Sequence, residues 1–374
     1  MLAAKQKLSG NLKKRQELKL VDIEPVPERI KNFPTTRYYG SKRKLLPWIF
    51  ENIKMLNFNT VLDGFGGTGS VSLLFKAMNK DVTYHDAFSF SNHVGQTVLS
   101  DSLCISNETF AEFVNETIPR NGLIYKTFKG LYYKDEENRW LDGFATKVFS
   151  SRLTDQEISL YMYTLYQACL KKRPFNIFHR TNLNLRLNKN VKRKFGNLTT
   201  WEHPFTKLMI KSYEEISPSL WRSRGIIKIL KPSSITSVRK GYDLVYLDPP
   251  YISLVVKNNR DGYWKRYHFL EGLSQYQEWH RLIDKKSYLK SMPTPKRFLD
   301  WSQKKTFRDR LYALIKKHRQ SIVVLSYVSN SYPDESDIGT FFKTLFSETS
   351  IHSKDHPHAL SKEKKRELLF IGRP

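Results

Sequence analysis

Thr60-Val61-Leu62-Asp63-Gly64-Phe65-Gly66-Gly67-Thr68-Gly69 is the stretch that decides the fold. Its first four residues read as a short buried strand, and the strand runs straight into a glycine loop. Gly67 and Gly69 let the backbone turn tightly and approach a ligand with no Cβ in the way. The next residues, Ser70 to Met78, carry apolar side chains at helical spacing: Val71, Leu74, Phe75 and Met78. Asp81-Val82-Thr83-Tyr84-His85-Asp86 then reads as a second strand ending in an acid. Strand, glycine loop, helix, strand and acid form a βαβ unit of the nucleotide-binding kind. In such a unit the amides at the helix start face a polar or anionic group, and an acid at the position of Asp86 receives ribose hydroxyls. The loop alone does not separate this chain from NAD or FAD proteins.

Further strands are expected at Ile226 to Leu230, Leu244 to Leu247, Ile322 to Leu325 and Leu368 to Ile371, with helical patterns between several of them. Upstream, an amphipathic helix is expected through Leu45, Leu46, Trp48, Ile49 and Ile53. Residues 1–30 are polar and lysine-rich and read as a basic N-terminal arm. The stretch 101–225 is far longer than a parallel crossover requires and has its own helical pattern at Ile158, Tyr161, Leu165 and Cys169. It is expected to be an inserted, largely helical lobe between two halves of a catalytic core, 31–100 and 226–374.

The second informative stretch is Tyr242-Asp243-Leu244-Val245-Tyr246-Leu247, an apolar strand that delivers Asp248-Pro249-Pro250-Tyr251. Paired prolines end the strand abruptly and leave an acid and an aromatic ring at its carboxyl edge. Open α/β sheets bind their ligands at that edge. A carboxylate and a carbonyl there can accept hydrogens from an exocyclic amine and shape its lone pair for attack on an electrophilic methyl group. A nicotinamide-dependent oxidoreductase would share the glycine loop but leave this tetrapeptide unexplained.

Composition agrees with a polyanionic partner. The chain of 374 residues carries a formal net charge of +27 with 13% aromatic residues, and neutralising phosphates releases counterions. The densest basic run comprises Lys171, Lys172, Arg173, Arg180, Arg186, Lys189, Lys192, Arg193 and Lys194, interleaved with Phe175, Phe178 and Phe195. It is expected to form a nucleic-acid-binding surface, or else to neutralise phosphates without reading bases. The loop Val255 to Trp264 is a second candidate, and Ser326 to Asn330 either closes the site or makes a structural turn. Two cysteines, Cys104 and Cys169, make a disulfide framework or zinc site improbable and fit a reducing cytoplasm. No membrane span and no secretory signal are read, and no metal is expected at His352, His356 and His358.

Taken together, these motifs resemble the alpha group of amino-methyltransferases, the Dam-like adenine-specific DNA methylases, from about residue 35 to the end. The resemblance implies an S-adenosylmethionine-dependent, Rossmann-like core with an inserted target-recognition domain. Tyr38 and Lys42, in Tyr38-Tyr39-Gly40-Ser41-Lys42, are similar to that family's cofactor-contacting aromatic and lysine. Asp63, Phe65, Gly67 and Gly69 match its acidic glycine motif. Asp86 matches its ribose-binding acid, and Asp248 to Tyr251 its catalytic tetrapeptide, with Asp248 also at the cofactor. Tyr267 to Leu273 and the closing Phe370 to Pro374 look like a subset of the family. The pair that holds the cofactor adenine in many members has no match in Lys231-Pro232-Ser233-Ser234-Ile235. The implied activity is methylation of adenine N6 in double-stranded DNA by base flipping and direct transfer, with a restriction nuclease as an associated partner. Cytosine-N4 methylation, RNA as substrate, and a non-catalytic DNA-binding protein on the same fold are the alternatives.

Overall fold

The computed structural model describes residues 25–35, 40–188, 198–254, 262–356 and 365–374. In chain order its strands are β1 (Thr60–Asp63), β2 (Asp81–Tyr84), β3 (Ile227–Ile229), β4 (Leu244–Leu247), β5 (Ile252–Ser253), β6 (Ile322–Val328), β7 (Ser331–Tyr332), β8 (Glu348–His356) and β9 (Lys365–Arg373). Seven of them form one sheet in the order β3-β2-β1-β4-β6-β9-β8, and β5 pairs with β7. The ladders joining β3, β2, β1, β4 and β6 are parallel. β9 runs antiparallel to both β6 and β8. This is a Rossmann-like α/β fold, and the chain order reverses between β1 and β4, where such sheets open a crevice at the strands' carboxyl ends.

Successive residues of a strand face opposite sides of a sheet, and here both sides are covered. Val61, Leu244, Tyr246, Val324, Leu369 and Ile371 pack into one apolar cluster. Leu62, Val245, Leu247, Val323, Leu325, Leu368 and Phe370 pack into the other. The first cluster takes in helices Ser70–Ala77, Ser89–Val98 and Asp155–Lys171. The second is closed by Lys304–Lys317 and Glu335–Leu345 through Leu311, Leu314, Ile315, Ile338 and Phe342. Burying each large apolar side chain contributes roughly 1.5–3 kcal/mol, so these rows hold the carboxyl edges in register.

Among the described residues between 101 and 225 the elements are helical, as the spacing implied. The longest, Asp155–Lys171, starts with a reciprocal cap between Thr154 and Glu157. Its apolar face continues the first cluster without a break. Residues 263–292, which the sequence places in the catalytic half, also pack into this lobe. Phe269 stacks on Phe178 at 5.0 Å, and Trp279 lies 5.0 Å from Phe128. The short pair β5 and β7 and the strand β8 were not expected, and β6 is longer than expected. β8 is a polar edge strand with one neighbour, and Ser326 to Val328 complete β6 rather than following it. Ser329 and Asn330 form the turn to β7, with Asn330 at φ 60°.

Candidate active site

β1 hands the chain to the glycine loop at the sheet's centre. Gly67 and Gly69 adopt φ values of 49° and 71°, and Gly69 immediately precedes helix Ser70–Ala77. A Cβ on Gly66 would lie 2.1 Å from the Tyr84 ring, so this position admits no side chain. The Tyr84 hydroxyl donates to the Gly67 carbonyl at 2.8 Å, tying the loop to β2. Asp86, just past β2, accepts from the Gly67 amide and the Phe88 amide, each at 2.9 Å. Burial raises the Asp86 carboxyl above its ordinary value, and those two amides partly offset the rise. Asp63, buried at the end of β1, accepts from Ser72 Oγ at 2.7 Å. Burial pushes its carboxyl up to about 7.

A cavity of about 330 Å³ lies along these carboxyl edges. Lys42, Asp63, Phe65, Gly67, Asp86, Asp248 and Pro250 all line it. Distant segments of the sequence thus meet at one place. Gly69 is not among the lining residues and serves the turn into the helix. Pro249 is buried at the end of β4. Tyr38 lies outside the described residues.

Asp248 sits at the centre of a tight polar group. Tyr251 donates its hydroxyl to Asp248 Oδ1 at 2.5 Å, and Lys42 Nζ lies 3.2 Å from the same oxygen. Lys42 also donates to the Tyr251 hydroxyl and to Glu367 Oε2, the latter at 3.3 Å. Lys42 is 4% exposed, and the Tyr251 ring packs edge-on against Tyr327 at 5.4 Å. Burial raises the Asp248 carboxyl, against the lowering effect of Lys42 and Tyr251. Burial pulls the Lys42 ammonium down, yet the two carboxylates outweigh it and its pKa is raised. The result is a largely shielded carboxylate, 17% exposed and held by directed donors, at the rim of a cavity large enough for a nucleoside.

Sequence motifs missed several of the walls. Phe88, Ile235, Arg297, Phe298 and Trp301 line the cavity as well. Phe88 packs on Phe298 at 4.4 Å and Phe65 on Trp301 at 5.2 Å, so the segment 294–302 is tied to the edges of both β2 and β1. Ile235 comes from the neighbourhood whose contact the sequence left unassigned; a lone isoleucine there carries no signal of its own. Of the loop Val255 to Trp264, residues 255–261 lie outside the described residues, while Tyr263 and Trp264 reach the cavity.

The basic set needs correction. Lys171, Lys172, Arg173 and Arg186 were expected on a DNA-facing surface, and all four are buried. Arg173, 2% exposed, donates to the carbonyls of Tyr132, Ile177, Arg180 and Thr181. Arg186 grips both carboxylate oxygens of Glu137 at 2.8 and 3.0 Å, and Lys172 lies 2.8 Å from Glu137. Lys171 pairs with Glu215 at 3.1 Å and donates to Ser212. These cations are internal ties, held inside because a buried charge must be paired or hydrogen-bonded. Arg180 is exposed. Lys192, Arg193 and Lys194 lie outside the described residues. His352 stands on β8 with its ring nitrogen 3.1 Å from Ser350 Oγ. No helix among the described residues is long and apolar enough to cross a membrane.

The type II methyltransferase M2.HphI of Haemophilus parahaemolyticus is 20% identical to this chain over 351 residues, which cover 91% of this chain and 97% of that one. The family model of the D12 class N6 adenine-specific DNA methyltransferases matches residues 38–292, which include the glycine loop, Asp86 and the Asp248 tetrapeptide, and the chain belongs to that family.

Proposed function

We propose that this adenine-specific DNA methyltransferase acts on duplex DNA, takes its methyl group from S-adenosylmethionine, and uses Asp248 to hold the target amine. The observation that carries the reading is the placement of a partly buried, donor-held carboxylate beside a nucleoside-sized cavity at the switch point of the sheet. The cavity suits that cofactor. Asp86 offers acceptor oxygens for a ribose, Phe88 and Ile235 offer apolar contact for a purine, and Asp63 and Asp248 offer negative charge for a cationic ligand. When bound, S-adenosylmethionine supplies an electrophilic methyl group on a positively charged sulfur.

The remaining work falls to the chain. An adenine inside a duplex is out of reach, so the base is extruded at a cost of a few kcal/mol. Asp248 and the Pro249 carbonyl each accept one amine hydrogen, which directs the nitrogen lone pair toward the methyl group. To admit the amine, Asp248 gives up the hydroxyl of Tyr251, whose ring then supports the base. As the nitrogen gained its bond to the methyl carbon, which would leave the sulfur of the bound donor, positive charge would develop on the amine. Asp248 faces that charge and takes the surplus proton. Holding the partners in this geometry supplies much of the acceleration.

Arg180 and the lysines and arginine at 192–194 are proposed to contact phosphates. By analogy with its type II relative, the enzyme is proposed to protect DNA from a cognate restriction nuclease in the cytoplasm.

The test is transfer of labelled methyl from S-adenosylmethionine to mixed-sequence duplex DNA, with modified nucleosides identified by mass spectrometry. N6-methyladenine is the expected product. Measurable cofactor binding with no product on duplex DNA would overturn the substrate assignment, and no cofactor binding would overturn the donor.

A further inference from the structure

Glu367 belongs to no motif that the sequence offered, and it lies beyond residues 38–292 that the family model matches. It stands early in β9, paired in register with Val328 at the carboxyl end of β6. Because β9 runs antiparallel, its first residues arrive at the ligand edge of the sheet. On the same face of β9, Leu369 and Ile371 continue into the apolar cluster, so Glu367 puts a carboxylate at the end of a hydrophobic row. Its side chain is 3% exposed and lies 3.3 Å from Lys42 Nζ. A buried acid at such a place costs several kcal/mol unless it is compensated.

Lys42 would need no second partner for neutrality, since Asp248 already lies 3.2 Å from its ammonium. One cation shared by two carboxylates leaves this triad with an excess negative charge in a site where Lys42 and Glu367 are buried and Asp248 is 17% exposed. The groups that face Asp248 are Lys42, Tyr251, Glu367, the carboxyl of Asp63 and the phenol of Tyr246. Among them Glu367 is the acid that contacts the same ammonium.

We propose that Glu367 is a positioning residue for methyl transfer: by drawing Lys42 partly to itself, it keeps the Asp248 carboxylate from being neutralised and leaves it a strong acceptor for the adenine amine. The proposal rests on the reading that Asp248 holds that amine. It adds no chemical step, because the proton still leaves the amine for Asp248. Glu367 repels negative charge on Asp248 and so contributes to its raised pKa. Removing the charge therefore lowers that pKa.

The experiment is single-turnover methyl transfer to mixed-sequence duplex DNA by the full chain, measured across pH for wild type, Glu367→Gln and Glu367→Asp. The Gln variant is expected to lose roughly tenfold to a hundredfold in rate, less than removal of a directly acting group costs. The acidic limb of its pH profile is expected to move to lower pH. Asp, which keeps the charge but withdraws it by one methylene, is expected to fall between Gln and wild type in both respects. A wild-type rate in the Gln variant, or a slower rate with an unmoved acidic limb, would overturn the proposal and leave Glu367 a structural partner of Lys42. Should the Gln chain fail to fold, the Asp variant carries the test, and an unmoved limb there overturns it. Asp248→Ala separates the two readings. If that variant still methylates adenine, the role of Asp248 has failed. If it is inactive while Glu367→Gln is normal, the role of Glu367 alone has failed.

Discussion

Lys42 and Arg173 are both buried cations, 4% and 2% exposed, in a protein whose formal charge is +27. Lys42 faces two carboxylates and a cavity, and its neighbours come from two distant parts of the chain: Asp248 and Tyr251 from one, Glu367 from the other. Arg173 faces backbone carbonyls, three of them within eight residues of itself in sequence. The first arrangement brackets a carboxylate at the cavity, which is proposed to hold the reacting amine. The second fixes the path of a loop. A cation's role thus follows from its partners, and neither its burial nor its place in a basic run predicts it.

The comparison is broken most sharply at the cavity. Asp248→Ala is expected to reduce the turnover number about 10³-fold or more, with folding preserved and N6-methyladenine lost from digested DNA. Loss of the carboxylate also strands Lys42 with Glu367 as its remaining acid, so thermal melting should be followed alongside activity. A variant that melts normally and still methylates would remove the functional half of the contrast.

Next in size is the insert. Arg173→Met leaves buried carbonyls without donors, and each unsatisfied group costs roughly 1–3 kcal/mol. A net loss of about 3 kcal/mol is expected, since the surroundings relax in part. Chemical denaturation would report it. A surface cation would instead lower DNA affinity at unchanged stability, and that outcome would restore the reading this structure corrects.

The two regions also differed in how far the sequence disclosed them. β1 and β4 were legible to the residue, because short apolar runs bounded by Asp63 and Asp248 have few other ways to be buried. The glycine loop was legible because its backbone needs φ values that few other residues tolerate. β8 was not, since it is a polar edge strand with a single neighbour and shows no buried row. The wall formed by Phe298 and Trp301 was hidden for another reason: isolated aromatics in a polar stretch reveal nothing until Phe88 and Phe65 are seen to meet them. The basic run misled for the same reason in reverse. Glu137, which neutralises Lys172 and Arg186, is 35 or more residues away in sequence, and the carbonyls that hold Arg173 have no sequence signature at all.

Glu137 sharpens the contrast at the next level. Burial alone would raise its carboxyl, but the guanidinium of Arg186 and the ammonium of Lys172 outweigh burial and hold it below its ordinary value of 4.5. A depressed carboxyl contributes stability that is fully present above that ordinary value and is lost as pH falls through the folded one. Asp248, raised by burial, has the opposite sign. Glu137→Gln is expected to cost about 2 kcal/mol near neutral pH, the scale of a charge-assisted hydrogen bond. It should also flatten the acid side of the stability curve. Unfolding measured over a series of acidic buffers decides this, and an unchanged curve would remove Glu137 from the account.

The smallest expected effect lies at Arg180. Its backbone carbonyl is fixed by Arg173, while the residue itself is exposed. The insert therefore combines a pinned main chain with a cation open to solvent, an arrangement suited to contacting a phosphate without reading a base. If Arg180 contacts one phosphate, Arg180→Ala removes about one unit from the slope of log affinity against log salt. Stability should change by less than about 0.5 kcal/mol, as for most surface substitutions. Affinities for a mixed-sequence duplex at several salt concentrations give the slope directly. A smaller slope at unchanged stability would show that Arg173 and Arg180, seven residues apart, divide the work of one loop between holding it and using it. An unchanged slope would move the phosphate contact away from Arg180 and leave this part of the insert a purely structural knot.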